Sequence, residues 1–265
     1  MPLSYSQLST YQRCPKQYEF AYVRKIGRPI SPAESYGSSL HNTLKYWGEL
    51  EMTISKPNEI NQLTLFLEST PTPLLTLDLP SLLKLWNENF INNTYSSVDD
   101  ANAAFAKGKA ALTHFFDWWK AKKREVVGIE KSFSVEVAHT DSPLSRLSGR
   151  LDRVERASEG LHIIDFKSSA PREQEHVDED LQLSIYAKAA QTLWNEPIAS
   201  LSLLFLRDDQ TLEIQTERSK VHLANAMITI RDAIDGIERQ DFTPKPTVEK
   251  CKRCPYRSIC PAAAV

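Results

Sequence analysis

Four cysteines, eight glycines, three methionines and a formal net charge of only −2 leave this 265-residue chain short of several things. With little net charge it is not a generally adhesive polycation, so any nucleic-acid contact must come from local basic patches. No apolar run reaches membrane-spanning length, and the opening MPLSYSQLSTYQRCPKQYEF is polar where a signal peptide carries an apolar core. Both absences point to a cytoplasmic protein with no membrane contact. There is no internal repeat and no G-x-x-x-x-G-K-[ST] loop, which excludes an ATP motor of that kind. What is present, 41% hydrophobic and 25% charged residues, suits an ordinary globular chain able to bury one large core or two small ones.

The few cysteines are placed unevenly. Cys251, Cys254 and Cys260 crowd the end of the chain, and Cys14 lies near its start. In a reducing compartment such clusters are more often metal ligands than disulfides, and four sulfurs suit either zinc or an iron–sulfur cluster. Basic residues accompany them: Arg13, Lys16, Arg24, Lys25 and Arg28 around Cys14, and Lys250, Lys252, Arg253 and Arg257 through the terminal cluster. Either run alone is ordinary solvated charge. Joined by one metal site, the two runs would make a basic surface.

Leu8, Tyr11, Tyr18 and Tyr22 follow helical spacing after a polar start at Ser4 or Ser6, and Pro15 predicts a break at Cys14. A second helix is expected over 34–50, with Tyr36, Leu40, Leu44 and Trp47 on one stripe, and another over 101–125, ending in the basic WWKAKKRE. Residues 126–137, 145–157 and 160–169 read as strands of an antiparallel meander. A helix at 178–194, strands at 199–209 and 211–218, and a helix at 220–239 follow. TPKPT then ends regular structure. The pattern is α/β with a helical addition, divided as an N-terminal helical region (1–50), a helical insertion (51–125), a core (126–240) and a cysteine-bearing tail (241–265).

The chemistry concentrates in GRLDRVERASEGLHIIDFKSS. Alternate side chains of a strand share a face, so Asp165 and Lys167 point together, away from Ile164 and Phe166. An isolated D-x-K is usually a structural ion pair. Here Asp152 sits across the predicted hairpin, and two converging carboxylates repel unless a cation or a raised pKa relieves them. A hard divalent metal is the natural relief.

GSSLH (37–41), GRLDR (149–153), IIDFKSS (163–169) and QLSIY (182–186), in that order, resemble the PD-(D/E)XK nucleases of the RecB-like group. An early cysteine followed by a late C-x₂-C-x₅-C is similar to the AddB-type recombination nucleases and the CRISPR-adaptation nuclease. The resemblance implies a restriction-endonuclease-like mixed sheet flanked by helices, with an N-terminal helical region and an iron–sulfur clasp joining the chain ends. It also implies Mg²⁺ or Mn²⁺ held by His41, Asp152, Asp165 and the backbone carbonyl of Phe166. Lys167 would orient or activate the attacking water, burial lowering its pKa, while Gln182 and Tyr186 support the lysine and the substrate phosphate. Glu130, one strand earlier, is a candidate for a more distant acid. Cys14, Cys251, Cys254 and Cys260 would hold a [4Fe-4S] cluster, with zinc the alternative. Arg13, Lys16, Lys252 and Arg253 would then face nucleic acid. The activity expected is that of a metal-dependent exonuclease on single-stranded DNA or DNA ends. The alternative is a catalytically silent DNA-binding scaffold beside a helicase or a CRISPR-adaptation partner.

Overall fold

The computed structural model describes residues 2–55, 76–122, 125–137 and 143–264. Residues 56–75, with much of the expected insertion's proline-rich stretch, lie outside them. Strand β1 (Leu3–Ser4) leads directly into helix α1 (Tyr5–Arg13), where Ser4 and Gln7 form a reciprocal capping box. Cys14 ends α1 in extended backbone, and Pro15, whose fixed φ suits a first helical turn, restarts the chain as α2 (Pro15–Tyr18). A single π-helical stretch, Glu19–Val23, continues it.

Among the described residues, three helices follow: α3 (Pro32–Ser55), α4 (Leu79–Asn89) and α5 (Val98–Lys120). Strands β2 (Glu125–Glu136), β3 (Arg146–Ala157) and β4 (Gly160–Lys167) form the expected meander. Helices α6 (Gln174–Asp178) and α7 (Leu181–Trp194) then carry the chain to β5 (Ile198–Leu206), which pairs in parallel with β4; β6 (Thr211–Thr216) closes the sheet antiparallel to β5. Helix α8 (Lys220–Glu238) and the short α9 (Val248–Lys252) complete the order. Thus regular structure does not end at TPKPT: Thr247 caps α9, which carries Cys251.

The sheet is mixed and buried on both faces. On one face Leu161, Ile163, Leu201 and Leu203 pack against α1, α7 and α8; on the other Ile164, Phe166, Leu204 and Leu206 pack against α3, α4 and α5. Consecutive apolar residues in β4 and β5 reflect this double burial. Strand β3 is the hub. β2 runs along one edge of it, while β1 takes the other edge at Leu147–Ser148 and β4 takes it from Arg153 to Ala157. Among the described residues, 149–152 have no strand partner on that second edge, so the sheet splits there.

Candidate active site

The split opens into a cavity of about 790 Å³, with Ser4–Ser6 on one wall and Ala33–Ser38 on the other. Two glycines of the sequence motifs allow close packing around this cavity. A Cβ on Gly37 would lie 3.1 Å from Ser168 Oγ, and one on Gly149 would lie 2.7 Å from the Phe133 ring. Helix α3 is fixed against β3 by a buried ion network. Arg153 donates to both Glu51 oxygens at 2.7 and 3.0 Å and to Glu155 at 2.7 Å. Arg153 follows Asp152 directly and Glu51 lies on the helix that carries His41, so this bidentate contact sets the spacing of those two side chains.

Asp152 and Asp165 sit one residue beyond the last pair of the β3–β4 ladder, Arg153 with Ile164, and share a face of the sheet. Asp152 Oδ2 accepts the Phe166 N–H at 2.9 Å and lies 3.4 Å from His41 Nδ1. His41 Nε2 in turn donates to the Phe166 carbonyl at 3.0 Å. Both ring nitrogens therefore face acceptors. Burial works against the charged ring, but the hydrogen bond and charge of Asp152, with Asp165 and Glu130 behind it, outweigh that and raise the His41 pKa to about 9.

Lys167 Nζ lies 2.5 Å from Asp165 Oδ2 and donates to Gln182 Oε1 at 2.8 Å. Gln182 donates through Nε2 to Asp165 Oδ1 at 3.1 Å and to the Tyr186 hydroxyl at 2.7 Å. Lys167 is thus the charged partner of the buried Asp165 Oδ2. Burial raises the Asp165 carboxyl against the pull of Lys167, and Asp152 adds to the rise. Burial favours the neutral Lys167 amine, but the Asp165 carboxylate outweighs it and holds the pKa above the ordinary lysine value. The Tyr186 hydroxyl is pushed well up by burial and by the two aspartates.

The sequence-selected residues thus converge from two helices and three strands, but not as one ligand ring. The donor atoms of His41, Asp152 and Glu130 lie within 4.8 Å of one another, whereas Asp165 turns toward Lys167 and Gln182. Glu130 stands closer than a distant acid should. Its backbone is left-handed, with φ 45°, at a point where β2 leaves its pairing with Asp152. Burial and the Asp152 charge raise its pKa, against a 3.2 Å ion pair with Arg150. The sequence signal for Glu130 was its place opposite Asp152 across a hairpin, which alternation alone does not convert into a direction. Ser4 and Tyr5, on the opposite wall, went unread because a two-residue strand has no periodicity.

The four cysteines are free and line one cavity of about 30 Å³ between α2 and the C-terminal residues. No three of their sulfurs lie within 4.8 Å of one another. Tyr256 donates its hydroxyl to the Ile26 carbonyl at 3.0 Å and packs on Phe20, joining the two chain ends. Lys16 lines the cavity and is paired with Glu19; Arg13, Lys252 and Arg253 are exposed, Arg253 3.7 Å from Glu249. No helix of the described residues is long and apolar enough to cross a membrane.

Two proteins, each called Gene 69 protein, from Mycobacterium phages L5 and D29, are 22% identical to this chain, the alignments covering 98% of it and 97% of each relative. The crystal structure of SSO0001 aligns with 100% of this chain and 88% of that one at 15% identity and a TM-score of 0.47. The model of the PD-(D/E)XK nuclease superfamily matches residues 2–261. A match over almost the whole length, containing every residue of the cleft, shows that the chain belongs to the PD-(D/E)XK nuclease superfamily.

Proposed function

We propose that this metal-dependent nuclease is a Mg²⁺- or Mn²⁺-dependent deoxyribonuclease that acts as an exonuclease on single-stranded DNA or DNA ends. The observation that carries the reading is the meeting of His41, Glu130 and Asp152 within 4.8 Å, beside the buried Asp165. Burial, with the Asp152 charge nearby, raises the Glu130 and Asp165 carboxyls, and carboxylate oxygens that converge with one imidazole suit a hard cation such as Mg²⁺ or Mn²⁺. His41, Asp152, Asp165 and the Phe166 carbonyl would hold the ion, with Glu130 added to the expected set. Such an ion, when bound, polarises a phosphoryl oxygen and provides a nucleophile at neutral pH.

The chain's own residues supply the rest. Lys167, kept charged by Asp165 and aimed by Gln182, would neutralise charge on the scissile phosphate and orient the attacking water rather than remove its proton. Gln182 couples Lys167, Asp165 and Tyr186 into one unit, so that each positions the others. The first turn of α1, which carries no acidic residue, borders the cavity with its positive end, which suits a phosphate backbone.

The four cysteines would hold a [4Fe-4S] cluster with a structural role. Arg13, Lys16, Lys252 and Arg253, gathered at this clasp, would then meet the strand's phosphates. Anaerobically purified protein should contain iron and absorb in the visible, and Cys14→Ala should lower both. Iron-free, colourless protein would remove the cluster from the account.

The test of the activity is incubation with end-labelled linear and circular DNA, single- and double-stranded, in Mg²⁺ and in Mn²⁺. Loss of linear but not circular single strands is expected. Tight binding without cleavage under any divalent metal would instead identify a scaffold.

A further inference from the structure

Helices α4 and α5 and the segment between them carry no motif, yet they border two further cavities. One, of about 580 Å³, is lined by Ser35 and Ser38 of α3 together with Ile91, Asn93 and Thr94. Ser38 also lines the active cavity, one helical turn before His41, so the two spaces share a wall residue. The other, of about 630 Å³, lies across the same segment and is lined by Phe90, Asn92, Tyr95 and Asn102 among others, with no charged side chain. The segment is tied to the catalytic helix: the Ile91 N–H donates to Ser39 Oγ at 2.9 Å, two residues before His41.

The chemistry of this lining is specific. Phe90 and Tyr95 stack at 5.7 Å and 26°, and Phe105 closes on Phe90 edge-on at 5.2 Å. Asn92, Asn93 and Asn102 are exposed, and no hydrogen bond of their side-chain amides is found among the described residues. Two hydroxyls of the segment, Thr94 Oγ1 and Tyr95 OH, are shielded from solvent and have no hydrogen-bond partner among the described residues. Buried hydroxyls without partners are rare, and carboxamides beside an aromatic platform match the edges and faces of nucleobases. A phosphate site is disfavoured, because Asp99 and Asp100 sit in the first turn of α5.

We propose that residues 90–102 form a base-binding track, on which unpaired nucleotides flanking the scissile phosphate stack against Phe90 and Tyr95 and are met by Asn92, Asn93 and Asn102. This inference rests on the nuclease reading above and assigns the motif-free region to substrate binding. Recognition here is by bases, so it tolerates salt better than phosphate contacts do.

The test is fluorescence anisotropy of a fluorescein-labelled mixed-sequence oligodeoxynucleotide with the full chain in Ca²⁺, alongside an oligonucleotide of the same length whose bases are replaced by abasic sites. Tyr95→Ala and the double variant Asn92→Ala, Asn93→Ala should each weaken binding of the normal strand about tenfold, the size expected for one lost stacking or amide contact. Neither should change binding of the abasic strand, and Asn225→Ala, exposed on α8, serves as the control. The amide variant alters only exposed side chains, so it remains decisive if Tyr95→Ala folds poorly. Equal binding by wild type and the amide variant would overturn the track while leaving the nuclease reading intact. A wild-type protein that neither binds nor cuts any strand in Mn²⁺ would overturn the nuclease reading itself.

Discussion

Two buried polar clusters lie on opposite faces of strand β4, three residues apart, and they are built to opposite ends. On the α5 side, His162 meets Ser200 and Ser202, and Glu213 accepts from His162 and Ser202 at 3.1 and 2.9 Å through one oxygen and from Trp118 at 3.1 Å and Lys122 through the other. Every lone pair that matters there has a donor. Burial would raise the Glu213 carboxyl, yet these donors hold it well below the carboxylate range. On the other face, Asp165 and Glu130 are both raised, burial leading in each case, although Asp165 has Lys167 and Gln182 beside it and Glu130 has the exposed Arg150. A buried carboxylate whose donors outweigh its burial supports the fold; carboxylates that converge and stay raised despite their partners suit a cation or a substrate.

The comparison can be broken by substitution, and the largest effect is on catalysis. Asp152→Asn should slow Mn²⁺-dependent cleavage by about 10²–10³-fold or more, judged against the loss of one transition-state contact, while thermal unfolding stays close to wild type. Glu213→Ala should do the reverse. By leaving His162 and Lys122 without their carboxylate it should cost about 3 kcal/mol of stability in urea unfolding, with Mn²⁺ affinity unchanged.

Smaller changes sharpen the same contrast. Glu130→Gln should weaken Mn²⁺ binding about tenfold in calorimetry. The same substitution should raise apo-protein stability by up to about 1 kcal/mol, because a folded pKa above the ordinary value means that ionising Glu130 opposes folding. Glu213 gives the opposite pH signature. Its folded pKa is depressed, so its contribution is present above the ordinary value of 4.5 and lost as the pH falls below it. Wild type should therefore lose stability over that acid range, and the slope should flatten in Glu213→Ala. Smallest of all, Gly37→Ala brings a Cβ to 3.1 Å from Ser168 Oγ, which a rotation of the serine can relieve. A fall in the melting temperature of a few degrees at most is expected.

The same contrast explains what could be read in the sequence. Asp152, Asp165 and Lys167 were legible because strand alternation and a short hairpin place side chains across one pair of strands. The meander, the break at Cys14 and the helices of both faces followed from local signals of the same kind. The parallel pairing of β4 with β5 was not, since it depends on how α6 and α7 return the chain. Nor was the inward turn of Glu130, which comes from a left-handed residue with no glycine to mark it. His162 was not singled out at all. A lone histidine in an apolar strand gives no sign of the serines and glutamate that meet it from β5 and β6.

The central claim is that the converging cluster with raised carboxyls, and not the donor-rich one at Glu213, holds the divalent ion. Equilibrium titration with Mn²⁺, followed by the electron paramagnetic resonance of the free ion, tests it on wild type, Asp152→Asn and Glu213→Ala together. Saturable binding that is kept in Glu213→Ala and lost in Asp152→Asn is the predicted result. Equal Mn²⁺ binding by wild type and Asp152→Asn would contradict it.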